Sequence, residues 1–171
     1  MLFRSYNNID KIIEDINRSL NPPVFESLSP TRLKIGIKKQ KQKMESFRKR
    51  LEDELNANFE FKDWDKIEVT INENRNMYHV DFEFHTPEKY YIQGDYYFGV
   101  TSHVDPKDCY YPSENIPEEM IETCSPSKPI YLVNMEFISD SGKINENNEV
   151  IFRDLDDVFK YIIEEVQKIF K

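Results

Sequence analysis

The sequence predicts an α+β fold: an antiparallel sheet of about 4–5 strands in meander order, packed against N-terminal and C-terminal helices. Apolar residues recur at helical spacing near both ends of the chain and at alternate positions in its centre, the two periods that mark helix and half-buried strand. The chain also carries 12 Phe and 10 Tyr, and aromatic side chains supply the buried area that disordered chains lack. At 171 residues a single domain over 1–171 is expected, large enough to bury most of its unfolded surface without a disulfide or metal staple.

The first helix is expected over about 8–20, where Ile9, Ile12, Ile13, Ile16 and Leu20 line one side. Asn21-Pro22-Pro23 ends it, because proline disfavours helix in the residue before it. A second long segment begins at Ser29-Pro30, and its stripe of Ile37, Met44, Phe47, Leu51 and Leu55 predicts a helix over 38–58. Its opening residues are ambiguous: Leu33, Ile35 and Ile37 also alternate as a strand does, and Gly36 weakens a helix by about 1 kcal/mol relative to alanine.

The sheet is expected over about 66–152. Ile67, Val69 and Ile71 form one strand; Val80, Phe82 and Phe84, alternating with His79, Asp81, Glu83 and His85, form the next; Glu73-Asn74-Arg75-Asn76 joins them as a hairpin. A third strand is expected over Tyr90 to Val100, a fourth over Ile130 to Ile138 and a short fifth near Val150 to Phe152. The closing helix, 154–171, is capped by Asp154, and Leu155, Val158, Phe159, Ile162, Ile163, Val166, Ile169 and Phe170 keep helical spacing along it. Between the third and fourth strands runs a long loop, 101–129, with five of the nine prolines, both cysteines and one short helix expected at Ile116-Pro117-Glu118-Glu119 with the proline at its first position.

The net charge of −9 hides a division. Residues 32–50 carry nine basic residues against the single acid Glu45, a local +8 that leaves −17 for the rest of the chain. Four glycines, Gly36, Gly94, Gly99 and Gly142, build no phosphate-cradling loop, and no zinc-protease or nucleophile-elbow motif occurs. Cys109 and Cys124 lack metal-ligand or redox spacing and read as free thiols. With no signal-like or membrane-spanning apolar run, the chain is expected to be soluble and cytoplasmic, without a membrane partner and without a cofactor.

Three groups of residues carry functional expectations. His79, Asp81, Glu83 and His85 share one strand face and are candidate ligands for a metal-binding protein or hydrolase, with His103 as a further ligand; residues two apart on a strand stand about 6.5–7 Å apart, so a solvated sheet face competes with that reading. The hairpin register sets Glu68 opposite Asp81, and the third strand is expected to bring Asp95 beside His79. The basic segment 38–50 suits a nucleic-acid-associated regulator, although an ordinary solvated helix has the same pattern. Lastly, Asp81, Glu83, Asp95 and Tyr97 on the sheet, together with Asp108, Tyr110, Tyr111, Glu114, Glu118 and Glu119 in the loop, combine carboxylates with aromatic contact area and suit a basic protein partner.

In size, acidity, aromatic content and lack of catalytic motifs the chain resembles bacterial immunity proteins, a likeness of composition that rests on no shared motif. The resemblance implies a non-catalytic protein that neutralises a basic toxin by covering its active site.

Overall fold

The computed structural model describes residues 9–20, 29–61, 68–72, 77–106, 116–142 and 144–171. Helix α1 (Ile9–Leu20) and helix α2 (Pro30–Asn58) lead into five strands, β1 (Glu68–Asn72), β2 (Met77–His85), β3 (Gly94–His103), β4 (Ile130–Ser139) and β5 (Ile144–Phe152). A short helix α3 (Glu118–Glu122) lies between β3 and β4, and α4 (Leu155–Phe170) closes the chain. The strands run in order β1-β2-β3-β4-β5, every neighbour antiparallel, so the sheet is the expected meander.

Alternation sorts the sheet into two faces. Tyr78, Val80, Phe82 and Phe84 of β2, Tyr96, Phe98 and Val100 of β3 and Tyr131, Val133, Met135 and Phe137 of β4 are buried in one cluster with Met44, Phe47, Leu51 and Leu55 of α2 and Val158, Ile162, Val166 and Ile169 of α4. Both long helices therefore cover the same face, α2 over β1 and β2, α4 over β4 and β5. Aromatic rings tie the layer together: Phe82 stacks on Phe98 at 5.0 Å, Tyr96 on Phe137 at 4.5 Å, and Phe84 meets Phe61 at 4.9 Å and Phe170 at 5.7 Å.

Local chemistry sets the helix ends. Ser29 accepts a hydrogen bond from the Arg32 amide at 3.4 Å with Pro30 in the first turn, and Asp154 accepts from the Asp156 amide at 2.7 Å. In α4 Asp156 and Asp157 occupy the first turn and Lys168 the last, which complements the helix dipole.

Four expectations are corrected. Helix α2 starts at Pro30 rather than near residue 38, its first turn set by the Ser29 cap and Pro30, and it runs through Gly36; a Cβ there would lie 2.1 Å from Pro126 Cβ, so close packing, not a turn, requires this glycine. Strand β3 starts at Gly94, not Tyr90. Gln93 Nε2 donates to Tyr90 O (2.7 Å) and Pro87 O (3.1 Å), which closes residues 87–93 into a loop that leaves Tyr91 99% exposed. Strand β5 is nine residues long, since pairing with β4 holds its polar first half in the sheet. Pro117 is the N-cap of α3 instead of its first helical residue. In α1, Ile9, Ile13, Ile16 and Leu20 are exposed, so its apolar stripe is not part of the core.

Candidate functional site

The second face of the sheet is divided. At one end Ile116, Ile121, Cys124 and Ile130 form a small buried cluster, with Met120 and Ile151 packed against it, so the α3 segment covers β4 and β5 there. The Cys124 thiol is buried and donates to His103 O at 3.3 Å. At the other end Asp81 and Glu83 of β2, Asp95 and Tyr97 of β3 and Glu136 of β4 lie outside that cluster and away from α2 and α4, with Glu83 and Asp95 exposed and the others half-buried, and this open part of the face is the candidate site.

Register assembles it. Glu83 pairs with Tyr97 and Tyr97 with Glu136, while Asp81 faces Gly99. Because Gly99 has no side chain, the Tyr97 ring and the His79 imidazole lie across it: a Cβ at that position would stand 2.9 Å from the Tyr97 hydroxyl and 3.0 Å from His79 Cε1. Tyr97 thereby becomes a half-buried aromatic platform ringed by carboxylates. None of the described strands contains a Lys or Arg, so nothing on the sheet itself neutralises them.

A hydrogen-bonded chain holds the platform. His79 Nδ1 lies 2.9 Å from Thr101 Oγ1, and His79 Nε2 lies 3.0 Å from the Tyr97 hydroxyl. One proton arrangement satisfies every member: Thr101 donates to Nδ1, Nε2–H donates to the Tyr97 oxygen, and the Tyr97 hydroxyl donates to Asp81. Burial, followed by the charge of Asp81 and its hydrogen bond and then by Glu136 and Glu83, pushes the Tyr97 phenol up to about 12, so it stays protonated. Burial also lowers the His79 pKa, with Asp81 opposing the shift. His85 is engaged separately, its Nδ1 2.8 Å from Asp95 Oδ1.

A depressed histidine pKa gives pH a definite sign. Above about pH 6.5 His79 is neutral both folded and unfolded; as pH falls below that value the unfolded chain takes up the proton first, so stability is lost as pH descends through the folded pKa. The urea midpoint of the wild type is expected to drop more steeply between pH 7.5 and about 5 than that of His79→Gln. Parallel pH profiles for the two proteins would contradict this assignment.

The structure thus brings together Asp81, Glu83, Asp95 and Tyr97 of the sequence-predicted residues. Glu118 and Glu119 lie in α3; Glu119 is exposed and the side chain of Glu118 is outside the described part. Asp108, Tyr110, Tyr111, Glu114 and Cys109 fall outside the described residues. Asp95 stands beside His85, not His79, whose cross-strand partner is Thr101: with Gly94 as its first residue, β3 pairs back from the β2 end at His85. Glu136 was missed by sequence reasoning. Alternation in β4 marks it as facing away from Phe137, but only strand order sets it beside Tyr97.

The alternative readings meet the same geometry. Among the described residues no group of three or more His, Cys, Asp or Glu side chains is placed to hold a metal ion, and the nitrogens of His79 bond Thr101 and Tyr97. The basic segment 38–50 belongs to α2, on the face opposite the acidic site, with Lys38, Lys39, Lys41, Lys43 and Lys49 exposed. Its own cations therefore do not cover the acidic face. Among the described residues no helix is long and apolar enough to cross a membrane. Comparison with family models, with curated proteins and with solved structures finds no match.

Proposed function

We propose that this chain is a non-catalytic binding protein that neutralises a basic protein partner through its open sheet face, in its concrete form an immunity protein that inhibits a bacterial toxin. The observation that supports this reading is the carboxylate ring of Asp81, Glu83 and Glu136 about Tyr97, extended by Asp95, with the chain's own basic helix on the far side of the sheet. Cross-strand like charges destabilise a sheet unless hydration or a cationic partner offsets them. A tyrosine held rigid by His79 and Thr101 provides aromatic contact area at small entropic cost, and arginine or lysine side chains gain both ion pairing and a cation–π contact at such a surface. Charge complementarity acts mainly by speeding encounter.

The test compares the wild type with a variant carrying Asp81→Lys, Glu83→Lys, Asp95→Lys and Glu136→Lys, both confirmed folded by circular dichroism and used as bait at natural expression level. The wild type is expected to retain one stoichiometric basic protein through a moderate-salt wash, and the variant to lose it. Association measured on the purified pair is expected to slow by about 10–100-fold in the variant at low salt. Equal retention by both baits, or recovery of nucleic acid alone, would overturn the reading and shift weight to the exposed lysines of α2.

A further inference from the structure

A cleft of about 640 Å³ opens where α2, the turn before β4 and the start of α4 meet, with its wall residue Tyr131 on the helix-covered face of β4, opposite to Glu136. Lys43 of α2, Lys128 of the turn and Arg153 between β5 and α4 supply its cations; Asp154 and Asp156 supply its carboxylates; Tyr131 of β4 forms part of its wall. The carboxylates are already committed. Asp154 caps α4 through the Asp156 amide, and Asp156 pairs with Arg50, whose guanidinium also lies over the Phe159 ring.

The cations, by contrast, have no carboxylate partner among the described residues. Arg153 donates to Lys128 O at 3.2 Å, Met120 O at 3.0 Å and Thr123 Oγ1 at 2.5 Å, acceptors that fix the guanidinium without cancelling its charge. Lys43 and Lys128 are exposed, with amines free to turn toward a ligand. Four cations against two carboxylates, counting Arg50, leave a local +2 in a chain whose overall charge is −9. Tyr131 adds an uncharged donor: its oxygen accepts from Gln40 Nε2 at 2.9 Å, and burial raises its pKa, opposed by that hydrogen bond and helped by Asp154, so it keeps its own proton.

We propose that this cleft binds a small molecule through a doubly charged oxyanion, held by Lys43, Lys128 and Arg153 with Tyr131 as a neutral donor. Charge balance selects a dianion, and the volume is in the range of small-molecule pockets. Two lysine ammonium groups beside a fixed guanidinium charge suit a phosphoryl group or a pair of carboxylates. The site lies apart from the acidic sheet face and does not depend on the function proposed for it.

Calorimetric titration of the full chain at pH 8 and low ionic strength with inorganic phosphate, and separately with succinate, both dianions, tests the proposal. At least one probe is expected to bind with a stoichiometry near one. In Lys43→Gln/Lys128→Gln its affinity is expected to fall by about tenfold or more, the scale of lost charge-assisted hydrogen bonds. Lys89→Gln, an exposed lysine outside the cleft, should leave affinity unchanged. Because both cleft lysines are exposed, the double variant keeps the core intact. The two probes separate phosphoryl from carboxylate chemistry. Binding of neither probe, or binding equally strong in the double variant, would overturn the proposal.

Discussion

Phe84→Ala is expected to lower the unfolding free energy by about 3–5 kcal/mol, the usual cost of deleting a buried aromatic ring and leaving a cavity. Phe84 is 1% exposed, and its ring contacts Phe61, Phe82, Tyr96, Phe98 and Phe170. It therefore joins the centre of the sheet to the end of α4 and to the segment that follows α2. No single neighbour can refill the space without withdrawing from another, so relaxation recovers little. Against a typical total of about 5–15 kcal/mol the loss leaves a marginal protein. Urea unfolding monitored by tyrosine fluorescence and circular dichroism measures it; a loss below about 1 kcal/mol would show that the ring cluster is not the centre of the core.

Gly36→Ala is expected to destabilise, although alanine is the better helix former by about 1 kcal/mol. The new Cβ would sit 2.1 Å from Pro126 Cβ and 2.6 Å from Pro126 Cγ, and a proline ring cannot rotate away. Overpacking of this kind costs about 1–3 kcal/mol and exceeds the propensity gain, or it lifts the first turns of α2 off the turn that carries Pro126. The sign is expected to reverse in a Pro126→Gly background, where the obstruction is gone and only helix propensity remains. A double-mutant cycle by urea unfolding reads that reversal directly. Additive effects would place the cost of the substitution somewhere other than this contact.

Much of the fold was legible because burial imposes a period on the sequence. Val158, Ile162, Val166 and Ile169 recur at helical spacing and are the buried residues of α4; Val80, Phe82 and Phe84 alternate and are buried in β2. Period identifies the apolar side of an element and nothing about its neighbour. The stripe on α1 looked the same in sequence as the one on α2, yet Met44, Phe47, Leu51 and Leu55 are buried whereas Ile9, Ile13, Ile16 and Leu20 are exposed.

The candidate site divides along the same line. Asp81, Glu83, Asp95 and Tyr97 were readable as one polar strand face from alternation within β2 and β3. Glu136 joins them only through the pairing of β3 with β4, and Asp95 turns to His85 because Gln93 closes the preceding loop. The side of the sheet on which the basic helix lies was likewise open, since a run of lysines carries no address.

The kinds of element, their apolar faces, the cap of α4 and the uneven distribution of charge were readable from the chain because each depends on residues a few positions apart. Tertiary structure decided the register of β3, the continuation of α2 through Gly36, the separation of the basic helix from the acidic face, and the meeting of Lys43, Lys128 and Arg153 in one cleft. Those features depend on which distant segments pack together. That choice is made by the summed burial of the whole core and by the lengths of the connections, and no local window of sequence contains it.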